Sequence, residues 1–177
     1  ATYVTTATGG VWSIDTGTAI PDDGALNINA NGNNSVSVTA TDAANNTSNA
    51  VTQTLVVDTT APVVTITSQA LSNDSTPVVS GTAEAGATIT AVIAGATYVT
   101  TATGGVWSID TGTATPNSGT LNINANGNNS VSVTARDAAN NTSTAVTQTL
   151  VVDTTAPAVA ITSQALSNDS TPVVSGT

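Results

Sequence analysis

The chain has 177 residues, room for one large domain or two small ones, and carries eleven acidic residues, no His and one basic residue, Arg136. Its formal net charge of −10 excludes a nucleic-acid footprint, which needs basic groups to neutralise phosphates, and excludes direct contact with anionic membrane surfaces for the same reason. With no Cys there is no disulfide and no thiolate metal site, so stability has to come from packing, from a bound ion, or from both.

In chain order, the first segments are ATYVTTATGGVWSID from Ala1, LNINANGNNSVSVTA from Leu26, VVDTTAP from Val56 and SQALSNDSTPVVSGT from Ser68. Each recurs 95 residues later, from Ala96, Leu121, Val151 and Ser163. Residues 1–82 and 96–177 differ at eight positions, among them Thr41/Arg136, Asp22/Asn117 and Val63/Ala158. A period of this length is too long for a solenoid coil and matches a whole sandwich domain of ~100 residues. The Asp-Thr-Thr-Ala-Pro segments at Asp58–Pro62 and Asp153–Pro157 are the natural linkers, and Pro makes them short and stiff. The expected domains are therefore an incomplete one over 1–57, a complete one over 58–152, and the opening strands of a third over 153–177.

Within the complete repeat, Val64 and Ile66 alternate with Val63, Thr65 and Thr67 in a first strand, and Gln69–Thr76 reads as a polar loop. Pro77–Thr82 is a second strand, Ala85-Gly86-Ala87 a turn, and Thr88–Ala94 a third strand with Ile89, Ala91 and Ile93 on one face. Gly95 turns the chain into Tyr98–Thr103, and Gly104-Gly105 leads into Val106–Asp110, where Trp107 and Ile109 share a face. Asn126-Gly127 reads as a turn before Ser130–Asp137, and a last strand runs through Val146, Leu150 and Val152. Period-two alternation broken by Gly, Asn and Pro predicts an all-β, two-sheet sandwich without helix, with Trp107 and Trp12 in the core. The regular spacing of Val, Ile and Leu argues against a disordered, Asn- and Thr-rich coil.

The segments TAEAGATI (82–89), GGVWSID (104–110), SVSVTARDAANNTS (130–143) and VVDTTAP (151–157) resemble the bacterial Ig-like repeats of giant surface adhesins, of the biofilm-associated and RTX-adhesin kind. The resemblance covers the whole period. Family members often carry Gly where this chain has Asn140 and Asn45, a mild departure because Asn tolerates positive φ. The resemblance implies tandem immunoglobulin-like Greek-key sandwiches and an extender role, holding an adhesive tip away from the cell, with Ca²⁺ between successive domains.

In that topology the entering linker, the second turn and the last hairpin loop meet at one pole, which brings Asp58, Glu84 and Asp137 into consideration as Ca²⁺ ligands, beside Asn140 and Asn141. Asp74 is expected at the opposite pole, near the outgoing Asp153; Asp42 is the counterpart of Asp137 in the incomplete repeat. Ca²⁺ takes six to eight hard oxygen ligands, roughly what three carboxylates with amide and backbone oxygens supply. Asp and Asn are also favoured in turns simply because they bond nearby backbone groups, and no EF-hand loop is present.

Without His or Cys there is no nucleophile–base pair of the usual kind, and a stacked repeat offers no deep cleft for a carboxylate pair to work in, so no enzyme activity is expected. The leading expectation is a stalk segment, extracellular on a bacterial cell surface, whose partners are neighbouring repeats and, through other regions, a host or biofilm surface. One alternative is a self-assembling extracellular filament in which chains complete one another by strand exchange. A second is a glycan- or ice-binding module using a Thr-rich face such as Tyr98–Thr103. No apolar run is long enough to span a bilayer and no signal peptide is recognisable, so export and anchoring parts are expected elsewhere in the full gene product.

Overall fold

A computed structural model describes residues 1–177, and the chain divides into two compact units, Ala1–Thr60 and Ala61–Thr177. There is no helix; regular structure is confined to strands.

The first unit is built on one hairpin, β1 (Asn31–Val38) and β2 (Val51–Asp58), paired antiparallel from Asn31↔Asp58 to Val38↔Val51. The remainder of this unit is turns and single bridges, among them Thr2↔Asp23 and Thr8↔Val11.

The second unit contains a sandwich. One sheet has the order β3 (Leu71–Ser72), β9 (Val146–Asp153), β8 (Asn126–Arg136), β5 (Thr88–Ile93) and β6 (Ala96–Thr101). The other pairs β4 (Val78–Thr82) with β7 (Val106–Asp110). Residues 64–68 run along the free side of β4: the Thr65 amide donates to Thr82 O and the Thr67 amide to Ser80 O, both at 2.8 Å. The predicted first strand thus pairs where a strand is needed, although only the Val64↔Ala83 bridge is regular. The chain then crosses to the other sheet, where β3 lies parallel to β9 through Leu71↔Val151. This short strand sits inside the predicted loop Gln69–Thr76 and is set by its neighbour rather than by its own alternation.

The inward-facing residues of both sheets form one core. Val79, Trp107 and Ile109 come from the small sheet; Ile89, Ala91, Ile93, Val131, Val133, Leu150 and Val152 come from the large one. The buried residues of β5 and β8 alternate with less buried ones, as a sheet with one face on a core requires. At Gly81 both neighbours of β4 stand close to the backbone. A Cβ there would collide with the Thr65 carbonyl and stand 2.7 Å from Trp107 Cζ2, so only Gly lets the indole and the first strand both pack on β4.

Three sequence expectations need correction. Asn126-Gly127 is not a turn; both residues lie in β8, opposite Asp153 and Val152. Gly127 instead makes room for the Asn124 side chain, which an added Cβ would strike. The strand expected over Tyr98–Thr103 starts earlier, at Ala96, because the two-residue turn Ala94-Gly95, with φ of 44° and 91°, closes the hairpin directly onto Ile93↔Ala96. Trp107 is buried at 3% exposure, but Trp12 is 49% exposed, because β4 and β5 have no counterparts among residues 1–60 to cover it.

Candidate functional site

The strand registers fix the poles of the second unit. β8 starts opposite Asp153 and ends with Arg136 opposite Thr88, a run of 11 residues or about 33 Å at the usual strand rise. Glu84, in the turn before β5, and Asp137, just after β8, therefore share one pole. Asp74 and Asp153 follow the paired residues Ser72 and Val152 and share the other. Asp58 and Asp42 belong to the first unit, at the end of β2 and in the loop after β1.

Asp137 is 8% exposed and organises its own loop. Its Oδ1 accepts from the Asn141 amide and its Oδ2 from Asn141 Nδ2, each at 2.8 Å, while Asn140 adopts φ 75°. The Asn141 side chain, seconded by backbone amides, holds the Asp137 carboxyl below its usual value of 3.8 against the opposing effect of burial. Asp42 repeats this arrangement at an exposed position: Asn46 donates through its amide at 2.8 Å and Nδ2 at 2.9 Å, and the carboxyl is again held low, chiefly by the Asn46 side chain. Asn45, with φ 65°, matches Asn140, so both Asn residues occupy the left-handed conformation where Gly would be the default.

The other carboxylates also cap turns. Asp74 Oδ1 accepts from the Thr76 amide at 2.8 Å and the Thr76 hydroxyl at 3.0 Å. Asp58 Oδ1 accepts from the Thr60 amide and Asp153 Oδ1 from the Thr155 amide, both at 2.9 Å. Glu84 is exposed. Within either unit no three ligating side chains gather into a cluster able to hold a metal. The donor type suits a hard cation, since all are oxygen ligands and Asp137 is held ionised, but neither unit by itself closes a cage.

Two residue sets escaped the sequence reading. Asn129, 5% exposed, donates through Nδ2 to Asn124 O, Gly127 O and Leu150 O and accepts the Asn124 amide, which satisfies the side chain inside the sandwich. Asn126 accepts from both linker threonines, as described below. Nothing local marks either residue as different from the many other Asn residues around it; only a partner 21 to 29 positions away does.

An open groove beside β4, β6 and β7 is lined by Thr67, Ser80, Thr82, Thr101 and Ser108 and contains no carboxylate. The Thr-rich face expected over Tyr98–Thr103 is mixed: Tyr98 is buried, and the outward residues of β6 are Thr97, Val99 and Thr101.

A family model for the bacterial Ig-like domain (group 3) matches residues 25–105 and again 119–176, more than three quarters of the chain. The chain belongs to that family. The two Ig-like matches begin 94 residues apart, within one residue of the repeat period, and the first spans the Asp58–Pro62 linker, so the family frame and the sandwich frame cut the same periodic unit at different points. Bacterial Ig-like domains are typically non-enzymatic structural modules and are generally found in surface and extracellular proteins. No curated protein matches the sequence.

Proposed function

We propose that this chain is a segment of the extender stalk of a bacterial cell-surface adhesin, a series of Ig-like domains that spaces an adhesive tip from the cell. The observation that carries the reading is the repeat itself: residues 1–82 and 96–177 differ at only eight positions, and the family model matches the chain twice, once in each copy. Near-identical domains in series add length without adding a new surface, and their stability is roughly a sum over units and junctions.

In the same reading Ca²⁺ stiffens the junctions. Asp58 of the entering linker, Glu84 and Asp137 would hold it at one pole, and Asp74 and Asp153 would serve the next junction; Asp42 is the repeat counterpart of Asp137. The ion would neutralise carboxylates for which the chain offers one cationic side chain, Arg136. The test is calcium titration of the residue 58–157 unit joined to one full preceding repeat, by calorimetry and small-angle scattering. Saturable binding with a higher melting temperature and a straighter particle is expected. No binding would remove calcium from the proposal, and equal stiffness of long arrays with and without chelator, seen by electron microscopy, would remove ion-stiffening.

In the filament reading, chains complete one another by strand exchange. Residues 158–177 repeat 63–82 and would supply a first unit with its opening strands. They do not supply β5, which lies between β6 and β8 in the large sheet and pairs with both. Size-exclusion chromatography of the 177-residue chain decides between filament and stalk: polymers favour the filament, and monomers at high concentration the stalk.

A further inference from the structure

The two threonines of the linker are tied back to the domain they leave. Asn126 Oδ1 accepts from the Thr154 amide at 3.0 Å, the Thr154 hydroxyl at 3.2 Å and the Thr155 hydroxyl at 2.9 Å. The carbonyl of Ala125 accepts from the same Thr154 hydroxyl at 3.2 Å and amide at 3.3 Å. Asp153 Oδ1 takes the Thr155 amide. Beyond Thr155 come Ala156 and Pro157, where the ring fixes φ and biases the preceding residue to extended geometry. Half of the linker is bonded and the other half is conformationally restricted.

The same bonds form in the first unit. Asn31 Oδ1 accepts from the Thr59 amide at 2.9 Å and from the Thr59 and Thr60 hydroxyls at 3.0 Å, and Ala30 O accepts from the Thr59 hydroxyl at 3.2 Å. This unit has the final hairpin but no β4 or β5 counterpart, so the arrangement depends on the hairpin alone. The register explains why: it places Asn31 opposite Asp58 and Asn126 opposite Asp153, beside the point where the linker departs.

We infer that Asn126, with its counterpart Asn31, is a clasp that sets the direction in which the chain leaves each domain, and that it does so without a cation. The clasp deepens the stalk reading, because it makes part of the junction stiffness a property of each repeat. Calcium would then lock a linker whose path is already chosen. A linker with its two threonines held has fewer conformations to lose when a neighbouring domain or an ion engages, which is the usual benefit of preorganisation.

The test uses the 177-residue chain in chelator, with amide hydrogen exchange read residue by residue by NMR. In the unsubstituted chain the Thr154 and Thr155 amides should be protected without added cation. Asn126→Ala should speed exchange at Thr154 about tenfold or more while Val133 and Leu150 change less than about twofold, and Asn126→Asp, which keeps an acceptor oxygen, should retain most of the protection. If Asn126→Ala loosens the whole sandwich, Val133 will report it, and Thr155→Val, which removes only the hydroxyl bond to Asn126 Oδ1, becomes the deciding variant: unchanged exchange at the Thr154 amide, which donates to the same oxygen, would overturn the clasp. Protection that appears only after calcium is added, or no effect of Asn126→Ala, would overturn it as well. These outcomes are independent of electron microscopy of long arrays, so the stalk can fail while the clasp stands, and the reverse.

Discussion

The final hairpin occurs twice in this chain, once inside a complete sandwich and once without it, and almost everything local is the same in both. NGNNSVSV pairs with VTQTLVVD in the same register, from Asn31↔Asp58 and from Asn126↔Asp153. Asn34 and Asn129 make the same side-chain bonds, including the long one to Leu55 O or Leu150 O at 3.4 Å. Burial and length differ. β1 ends at Val38, whereas β8 continues to Arg136, because β5 pairs with residues 131–136 and nothing equivalent pairs with 36–41. Leu55 is 46% exposed against 3% for Leu150. The hairpin carries its own register and turn chemistry; the core is what the missing strands contribute.

The largest effect should come from making one substitution in both settings. Trp107→Ala removes a buried indole packed between the sheets and should cost about 3–5 kcal/mol, whereas Trp12→Ala should cost about 1 kcal/mol or less. Urea unfolding of each variant, followed by circular dichroism, checks this; equal costs would mean that residues 1–60 bury their Trp in solution.

Gly81→Ala should come next, at about 1–3 kcal/mol, since the new methyl meets both the Thr65 carbonyl and the indole. Its repeat counterpart, Gly176→Ala, meets the Ala160 carbonyl but no Trp, and should shift stability less in the same assay. A smaller effect of opposite sign is expected at Ala94, which holds φ 44° in the β5–β6 turn. Ala94→Gly should relieve about 1 kcal/mol of backbone strain and raise the melting temperature of the sandwich by roughly 4–8 °C, measured by scanning calorimetry.

The smallest effect concerns pH. The Asp137 and Asp42 carboxyls are both held below 3.8 by their Asn partners. A carboxyl with a lowered folded-state pKa contributes stability above its ordinary value, and that contribution is lost as pH falls through the lowered one. Acid titration followed by carboxyl NMR should show both groups shifted in the same direction, although one is buried and the other exposed. Asp137→Asn should flatten the acid side of the stability curve. Tyr98 acts at the other extreme: burial raises its pKa above 10.0, so stability that is full below that value should fall as pH rises through the raised one.

Part of this architecture was legible in the residues. The alternation of Val131, Val133 and Ala135, and of Ile89, Ala91 and Ile93, marks two half-buried strands, and all six are buried. Glu84 and Asp137 stand next to the ends of those two strands, before β5 and after β8. The clasp was not legible, since Asn126-Gly127 is among the strongest turn signals a sequence contains and here serves a strand and a linker instead. The Leu71–Ser72 strand was hidden for a similar reason, being two residues long and parallel to a strand 80 positions away.

By itself the sequence determined the all-β class, the 95-residue period and an acidic chain without thiols or imidazoles, because these depend on side-chain chemistry and on spacing along the chain. The tertiary structure alone decided which Trp is covered, how far the last hairpin extends, and that Asn126 holds the linker. Those outcomes rest on contacts between residues far apart in the chain, and two nearly identical segments reach different burial only because one has partner strands and the other has none.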